Sequence, residues 1–264
     1  MERSNFLYDV LEKIYSGLGP VQKENLKESV KNAYKAAKLR NQSDPVLADV
    51  FAEYRQVVKK PDAIYSILSD MVEMELFEDD VSKVKPFSTY LDGVVVVDLA
   101  ALGQNDKTKN ILVILFLNLF YENMLKLEKP PFVGSNPHLR AVNGFLLVDE
   151  ADNIMRYQFP VLERVLLQGR EFGVGVLLAS QYLSHFKPSA RTNYKEPLLT
   201  WFIHQVPDVT VNELKAIGLT EVDHGTTSRI QKLDRHECLY KSLNVDGEII
   251  RGTPYYFLRT REEN

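Results

Sequence analysis

Gly144-Phe145-Leu146-Leu147-Val148-Asp149-Glu150-Ala151-Asp152 is the stretch whose reading decides the fold. An apolar run passes directly into two adjacent carboxylates. Apolar residues on both faces suit a strand buried in the middle of a parallel sheet. Asp149 and Glu150 then emerge at its carboxyl end, where open α/β sheets bind their ligands. The same residues also suit a strand followed by an acidic turn that caps the next helix. The stretch alone leaves both readings open.

Working outward, the pattern repeats. Phe159 to Gln168 has a helical apolar face of Val161, Leu162, Val165 and Leu166, with Gly169 placed to stop it. Val174 to Ala179 is a second buried strand, ending in Ser180-Gln181. Leu198 to Ile203 predicts a further strand and Val209 to Ile217 a short helix. His236 to Leu258 predicts two or three strands with a turn at Asp246-Gly247. Upstream, Val94 to Val97 is a β-branched run that also ends in an acid, Asp98. Asp106 to Leu127 is a long apolar helix stopped by Lys129-Pro130-Pro131, and a polar loop with Pro137, His138 and Arg140 follows.

Residues 1 to about 85 read as helical. Phe6, Leu7, Val10, Leu11 and Ile14 share one face, and over residues 21 to 39 Val21, Leu26, Val30, Ala33, Tyr34 and Ala37 share another. Val46, Val50, Phe51 and Tyr54 share a third, and Ile64, Ile67, Leu68, Met71 and Leu76, over Ala63 to Phe77, a fourth. The acidic stretch Glu73 to Asp80 reads as a solvated helix end and loop, since no His or Cys joins it. The class expected is therefore α/β with a mainly parallel sheet, as a helical segment over 1–88 and a sheet-bearing part over 89–264.

Composition narrows the setting. A 264-residue chain with 45% apolar and 26% charged residues is an ordinary globular protein with a packed core. A net charge of −4 excludes a generally basic surface, though not a few basic loops in one place. One cysteine, Cys238, excludes an intrachain disulfide framework and suits a reducing compartment. Met1 to Leu11 lacks the character of a secretory signal. The apolar run Ile111 to Leu117 is far short of the ~20 residues that span a bilayer. A cytoplasmic protein without membrane segments is expected.

A hydrophobic strand ending in Asp-Glu is the Walker B pattern of P-loop NTPases. There the Asp helps hold Mg²⁺ and a neighbouring acid orients or activates the attacking water. Gln181, ending the next strand, is a candidate to sit by a γ-phosphate; its plainer reading is a polar residue leaving a strand. Arg170, in Gly169-Arg170-Glu171-Phe172-Gly173, is a candidate to stabilise a transferring phosphoryl group in cis or in trans. Its plainer reading is a surface arginine near a helix C-terminus. Lys187, Arg191 and Lys195, with Tyr194, form a basic loop suited to DNA phosphates or simply to solvent. The five histidines and Cys238 lack metal-ligand spacing. Ser180 and Ser184 near His185 lack the glycines of a nucleophile elbow.

Taken together, Leu147-Val148-Asp149-Glu150-Ala151, Gln168-Gly169-Arg170-Glu171-Phe172-Gly173-Val174-Gly175 and Leu178-Ala179-Ser180-Gln181 resemble the HerA/FtsK group of DNA-pumping ATPases. Leu18-Gly19-Pro20-Val21-Gln22-Lys23-Glu24-Asn25-Leu26 and Val95-Val96-Val97-Asp98-Leu99 resemble its HerA branch. Within that branch the sequence is similar to the DptH-type ATPases of phosphorothioation-dependent DNA restriction systems. The resemblance implies a RecA-like P-loop ATPase core, homo-hexameric rings, ATP with Mg²⁺, and translocation on double-stranded DNA. It also implies work alongside a nuclease or other restriction subunits. It gives Asp149 to magnesium, Glu150 to the catalytic base, Gln181 to the γ-phosphate sensor and Arg170 to a finger acting across a subunit boundary.

One departure limits this. No G-x-x-x-x-G-K-[ST] occurs in the chain, and that loop supplies the N–H cradle and lysine for the phosphates. The resemblance puts the loop upstream of the helical segment, so the chain is expected to be the C-terminal part of such a core. Two other expectations stay open. One is a DEAD-box helicase fragment, since Asp149-Glu150-Ala151-Asp152 spells that box. It lacks the Ser-Ala-Thr motif and room for a second RecA domain. The other is a non-catalytic interaction module on an ATPase scaffold.

Overall fold

The computed structural model describes residues 2–15, 17–103, 105–134, 140–254 and 257–258. Pro137 and His138 lie outside them, as does the side chain of Phe6. The chain divides into two compact units, Met1–Asn123 and Met124–Asn264.

The first unit begins with helices α1 (Glu2–Ile14), α2 (Pro20–Leu39), α3 (Leu47–Val57) and α4 (Ala63–Glu73), each packed on the one before. Their apolar faces make the core, although Val21 is 70% exposed and α4 ends at Glu73, short of Leu76. Leu11, Leu26, Ala33, Tyr54, Ile64 and Leu68 are fully buried, and each large one contributes roughly 2 kcal/mol by leaving water. Pro20 opens α2 and the Gly19 N–H bonds Gln22 Oε1 at 2.8 Å, which satisfies a donor just outside the helix. Asp62 ties two helices together. One carboxylate oxygen accepts from the Tyr65 N–H at 2.9 Å and caps α4, and the other accepts from the buried Tyr54 hydroxyl of α3 at 2.9 Å. Glu73 to Asp80 runs from the helix end into a largely exposed loop.

Val94 to Val97 is not a strand. It has no ladder partner among the described residues, and Val94 and Val96 are 96% and 81% exposed. β-branched residues suit a pleated, half-buried surface, and this run has no such surface to join. Helix α5 (Asp106–Met124) follows and buries Ile111, Ile114 and Leu117.

The second unit carries two sheets. Strands β1 (Gly144–Val148) and β2 (Val174–Leu178) form a parallel pair in register from Gly144↔Val174 to Val148↔Leu178. They are linked through the short α6 (Asp152–Met155), α7 (Pro160–Gln168) and a 3-10 turn over Gly169–Phe172. Gly169 is the C-cap of α7, as the sequence suggests, but the helical path does not stop there. The chain tightens into the 3-10 turn there, and Gly173, at φ +70°, supplies the left-handed stop. Gly169 matters for closeness instead, since a Cβ there would lie 3.0 Å from the Val174 carbonyl.

The remaining strands, β3 (Trp201–Ile203), β4 (Glu237–Lys241) and β5 (Glu248–Arg251), form an antiparallel sheet in the order β3-β4-β5. Helices α8 (Val211–Ala216) and α9 (His224–Ile230) lie between β3 and β4 in the chain. The sheet structure is thus a parallel pair beside an antiparallel triplet, not one mainly parallel sheet. The β4–β5 connection through Gly247, at φ +93°, is too short for the crossover that parallel strands need. β1 also differs from the fully buried strand expected. Phe145 and Leu147 are 69% and 68% exposed, because a two-stranded sheet covers them with little beyond Gly175 and Leu177.

Candidate active site

The acidic turn is built by one residue of the neighbouring strand. Beyond the last ladder pair, Ala179 donates its N–H to the Val148 carbonyl at 2.9 Å and accepts from the Ala151 N–H at 2.8 Å. Residues 148 and 151 are thereby both held on Ala179, and Asp149 and Glu150 are looped out between them, exposed, at the carboxyl end of the parallel pair. The turn requires Glu150 to adopt φ +48°, a left-handed conformation costly for a residue with a Cβ. Asp149 Oδ1 accepts from the Glu150 N–H at 2.9 Å, and Glu150 Oε2 accepts from Asn153 Nδ2 at 3.3 Å.

The N-cap of α6 is Ala151, with no side-chain cap bond. Neither Asp149 nor Glu150 is used to terminate the helix that follows.

Gln181 is exposed at the carboxyl end of β2, two residues past Ala179, so it shares the sheet end with the acidic turn. Arg170 does not. It lies in the 3-10 turn that precedes β2, at the amino end of the pair. The length of β2 puts it roughly 15 Å from the carboxyl end at the usual rise per residue. Arg170 is exposed, and its neighbour Glu171 bonds Lys129 at 2.6 Å. That hydrogen bond and the lysine's charge hold the Glu171 carboxyl below its usual range. Within one chain Arg170 therefore cannot join Asp149, Glu150 and Gln181.

The basic loop is also divided by the fold. Lys187 and Arg191 are exposed, but Lys195 is only 6% exposed and Tyr194 only 1%. Burial pushes the Lys195 ammonium below its usual pKa, and the charge of Glu213 partly offsets this. Lys195 is therefore not part of the loop's exposed basic surface.

Sequence spacing did not reveal the cluster beside Gln181. Ser180 Oγ lies 2.8 Å from His185 Nδ1 and 3.3 Å from Asp152 Oδ1, with Nδ1 4.0 Å from the same carboxylate oxygen. The Tyr182 ring meets the His185 ring edge-on at 5.3 Å. A serine-hydrolase relay puts serine and carboxylate on opposite ring nitrogens. Here both face Nδ1, so the trio is not a nucleophilic triad. The spacing from Ser180 to His185 was visible in the sequence, but Asp152 comes from another strand end.

Among the described residues no group of three or more His, Cys, Asp or Glu is placed to hold a metal. Mg²⁺ asks for less. It keeps most of its waters and takes one or two carboxylates together with substrate phosphates. The exposed Asp149-Glu150 pair fits that half of a Mg²⁺–nucleotide site, while the described residues contain no glycine-lysine phosphate cradle.

No family model matches the chain, and no curated protein matches it. Among solved structures it is similar to VirB4 of Thermoanaerobacter pseudethanolicus, with a TM-score of 0.64 at 16% identity, over 97% of this chain and 70% of that one. At that identity the likeness is one of fold, a mixed α/β arrangement. Among the described residues no helix is long and apolar enough to cross a membrane.

Proposed function

We propose that this chain carries the acidic and sensing half of an ATP-hydrolysing motor related to the HerA/FtsK group. The supporting observation is the turn held on Ala179, which presents two adjacent carboxylates beside Gln181 at the end of a parallel pair. The likeness in fold to VirB4 is consistent with it. A magnesium nucleotide supplies the phosphoanhydride to be cleaved and much of the charge neutralisation. Asp149 would hold a magnesium ion through its waters, Glu150 would take a proton from the attacking water, and Gln181 would bond the γ-phosphate. The phosphate-gripping loop has to come from outside these residues.

Arg170, remote from the cluster of its own chain, suits a finger reaching the site of a neighbouring subunit in a homo-hexameric ring. Exposed Lys187 and Arg191 suit the phosphates of double-stranded DNA. In this proposal the motor is cytoplasmic and serves DNA processing or phosphorothioation-dependent restriction (phage defence), alongside a nuclease or other restriction subunits.

The test is Mg²⁺-dependent ATP hydrolysis by the protein expressed from its complete coding sequence. Glu150→Gln should reduce the rate by at least about a hundredfold while nucleotide binding survives. The 264-residue chain alone should show no appreciable turnover. An active protein whose rate is untouched by Glu150→Gln removes this assignment. In rings mixed from Arg170→Ala and Glu150→Gln subunits, partial recovery of activity is expected. Its absence from verified mixed rings rules out the trans finger.

A further inference from the structure

Gln181 is bracketed by a single imidazole. The residue before it, Ser180, bonds His185 Nδ1 at 2.8 Å, and the residue after it, Tyr182, packs its ring edge-on against the same imidazole at 5.3 Å. The Tyr182 carbonyl also accepts from the His185 N–H at 3.3 Å. His185 is partly exposed and lies in a 3-10 turn, Leu183–Phe186, anchored by the buried side chains of Leu183 and Phe186.

The same cluster reaches the other strand end. Ser180 Oγ donates to Asp152 Oδ1 at 3.3 Å, and Asp152 follows the acidic turn in the chain. A hydroxyl has one proton to give. Given to the carboxylate, it leaves the Ser180 oxygen to accept from a protonated His185 Nδ1. The order His185 to Ser180 to Asp152 then gives each of the two bonds one donor and one acceptor, with the ring's hydrogen on Nδ1. Two connections therefore join the strand ends: the backbone bonds on Ala179, and this side-chain chain immediately past it.

We propose that His185 is a positioning residue for Gln181: through Ser180, Tyr182 and Asp152 it fixes the segment carrying Gln181 against the turn carrying Glu150. This rests on the assignment of Gln181 and Glu150 to one nucleotide site. The distance between sensor and base is then set by side-chain bonds that local sequence does not supply. Loosening them misplaces Gln181 in the reacting complex without removing any group that binds nucleotide.

The experiment compares His185→Ala, His185→Asn and Glu150→Gln in the complete protein, and amide hydrogen exchange of the first two in the chain itself. His185→Ala should lower kcat for ATP on the order of tenfold to a hundredfold with KM little changed, as a small misplacement does. His185→Asn, whose amide nitrogen can reach Ser180 as Nδ1 does, should recover most of it. Exchange at the Ala151 and Ala179 amides, whose bonds close the acidic turn on the partner strand, should quicken at least about tenfold in His185→Ala and stay near the parent in His185→Asn. An unchanged kcat in a protein that Glu150→Gln inactivates overturns the proposal, as does an Asn variant no better than the Ala variant. Should Glu150→Gln retain full activity, the nucleotide-site assignment fails instead. Exchange then decides the anchoring alone, and unaltered protection at Ala151 and Ala179 in His185→Ala rejects it.

Discussion

Ala179 holds Ala151 by accepting its N–H at 2.8 Å, and that bond closes the loop in which Asp149 and Glu150 stand. Because the same Ala179 also donates to Val148, the two acids cannot relax into the ladder or into α6. Their position is a property of the partner strand as much as of their own.

The closure leaves Glu150 at φ +48°. Glycine adopts that conformation freely, whereas a β-branched residue is forced into a rare one. Glu150→Gly should leave the unfolding free energy within about 1 kcal/mol of the parent or raise it, while Glu150→Val should lower it by about 1–2 kcal/mol. Urea unfolding of the two variants checks this. Equal losses in both would mean that the backbone there is not constrained as described.

Gly173 stands under a stricter demand. It has φ +70°, and a Cβ would lie 2.7 Å from both the Ala141 carbonyl oxygen and the Pro130 ring. The Gly173 carbonyl also accepts from the Asn143 N–H at 2.7 Å, at the entry to β1. Gly173→Ala should cost about 2–3 kcal/mol, since backbone atoms have to move as well as φ. A loss below 1 kcal/mol in chemical denaturation counts against this packing.

Alkaline stability has a definite sign. Burial raises the pKa of Tyr194 from 10.0 to about 12, with the charge of Glu163 adding to it. Burial likewise raises that of Tyr54, helped by its bond to Asp62. A raised pKa means the folded chain keeps a proton that the unfolded chain releases. The stabilising contribution is therefore whole below pH 10.0 and is lost as the pH climbs from there toward about 12 for Tyr194. Among the described residues the Tyr194 hydroxyl is buried without a hydrogen-bond partner. Tyr194→Phe should then be neutral or stabilising by up to about 1 kcal/mol at neutral pH. It should also flatten the alkaline loss, measured as thermal midpoint against pH. A marked destabilisation at neutral pH would show that the hydroxyl is satisfied.

The basic loop separates into accessible and inaccessible charges. If Lys187 and Arg191 meet DNA phosphates, replacing either by Gln should weaken binding across sequences and reduce the salt slope by roughly one. Lys195→Gln should instead act on stability, because its side chain is buried. A slope altered by Lys195→Gln and not by the other two would reverse the assignment. Fluorescence anisotropy on duplex DNA over a salt series measures all three.

What the sequence made legible follows from range. Helices α1 to α4 and α7, and strands β1 and β2, declare themselves by periodicity within a few residues, and Pro20 and Gly247 mark breaks that the backbone obeys. The acidic turn was placed at the right strand end for the same reason. Matters decided by distant partners were hidden. Four consecutive valines carry strong β preference, yet Val94 to Val97 pairs with no strand among the described residues. Arg170 is close to β2 in sequence but at its opposite end from Gln181. Lys195 looks solvated by type and is buried by its surroundings. The bond from Ser180 to Asp152 spans two strand ends, so no local window contains it.

The exposed side of the parallel pair has a practical consequence. Phe145, Leu147 and Leu177 line one face of a two-stranded ribbon whose outer edges have no strand partner among the described residues. Such a surface is adhesive toward other copies of itself, and edge pairing is the ordinary route to precipitation. Aggregation of the purified chain should therefore rise with its concentration, and lessen when Phe145 or Leu147 gives way to a charged side chain.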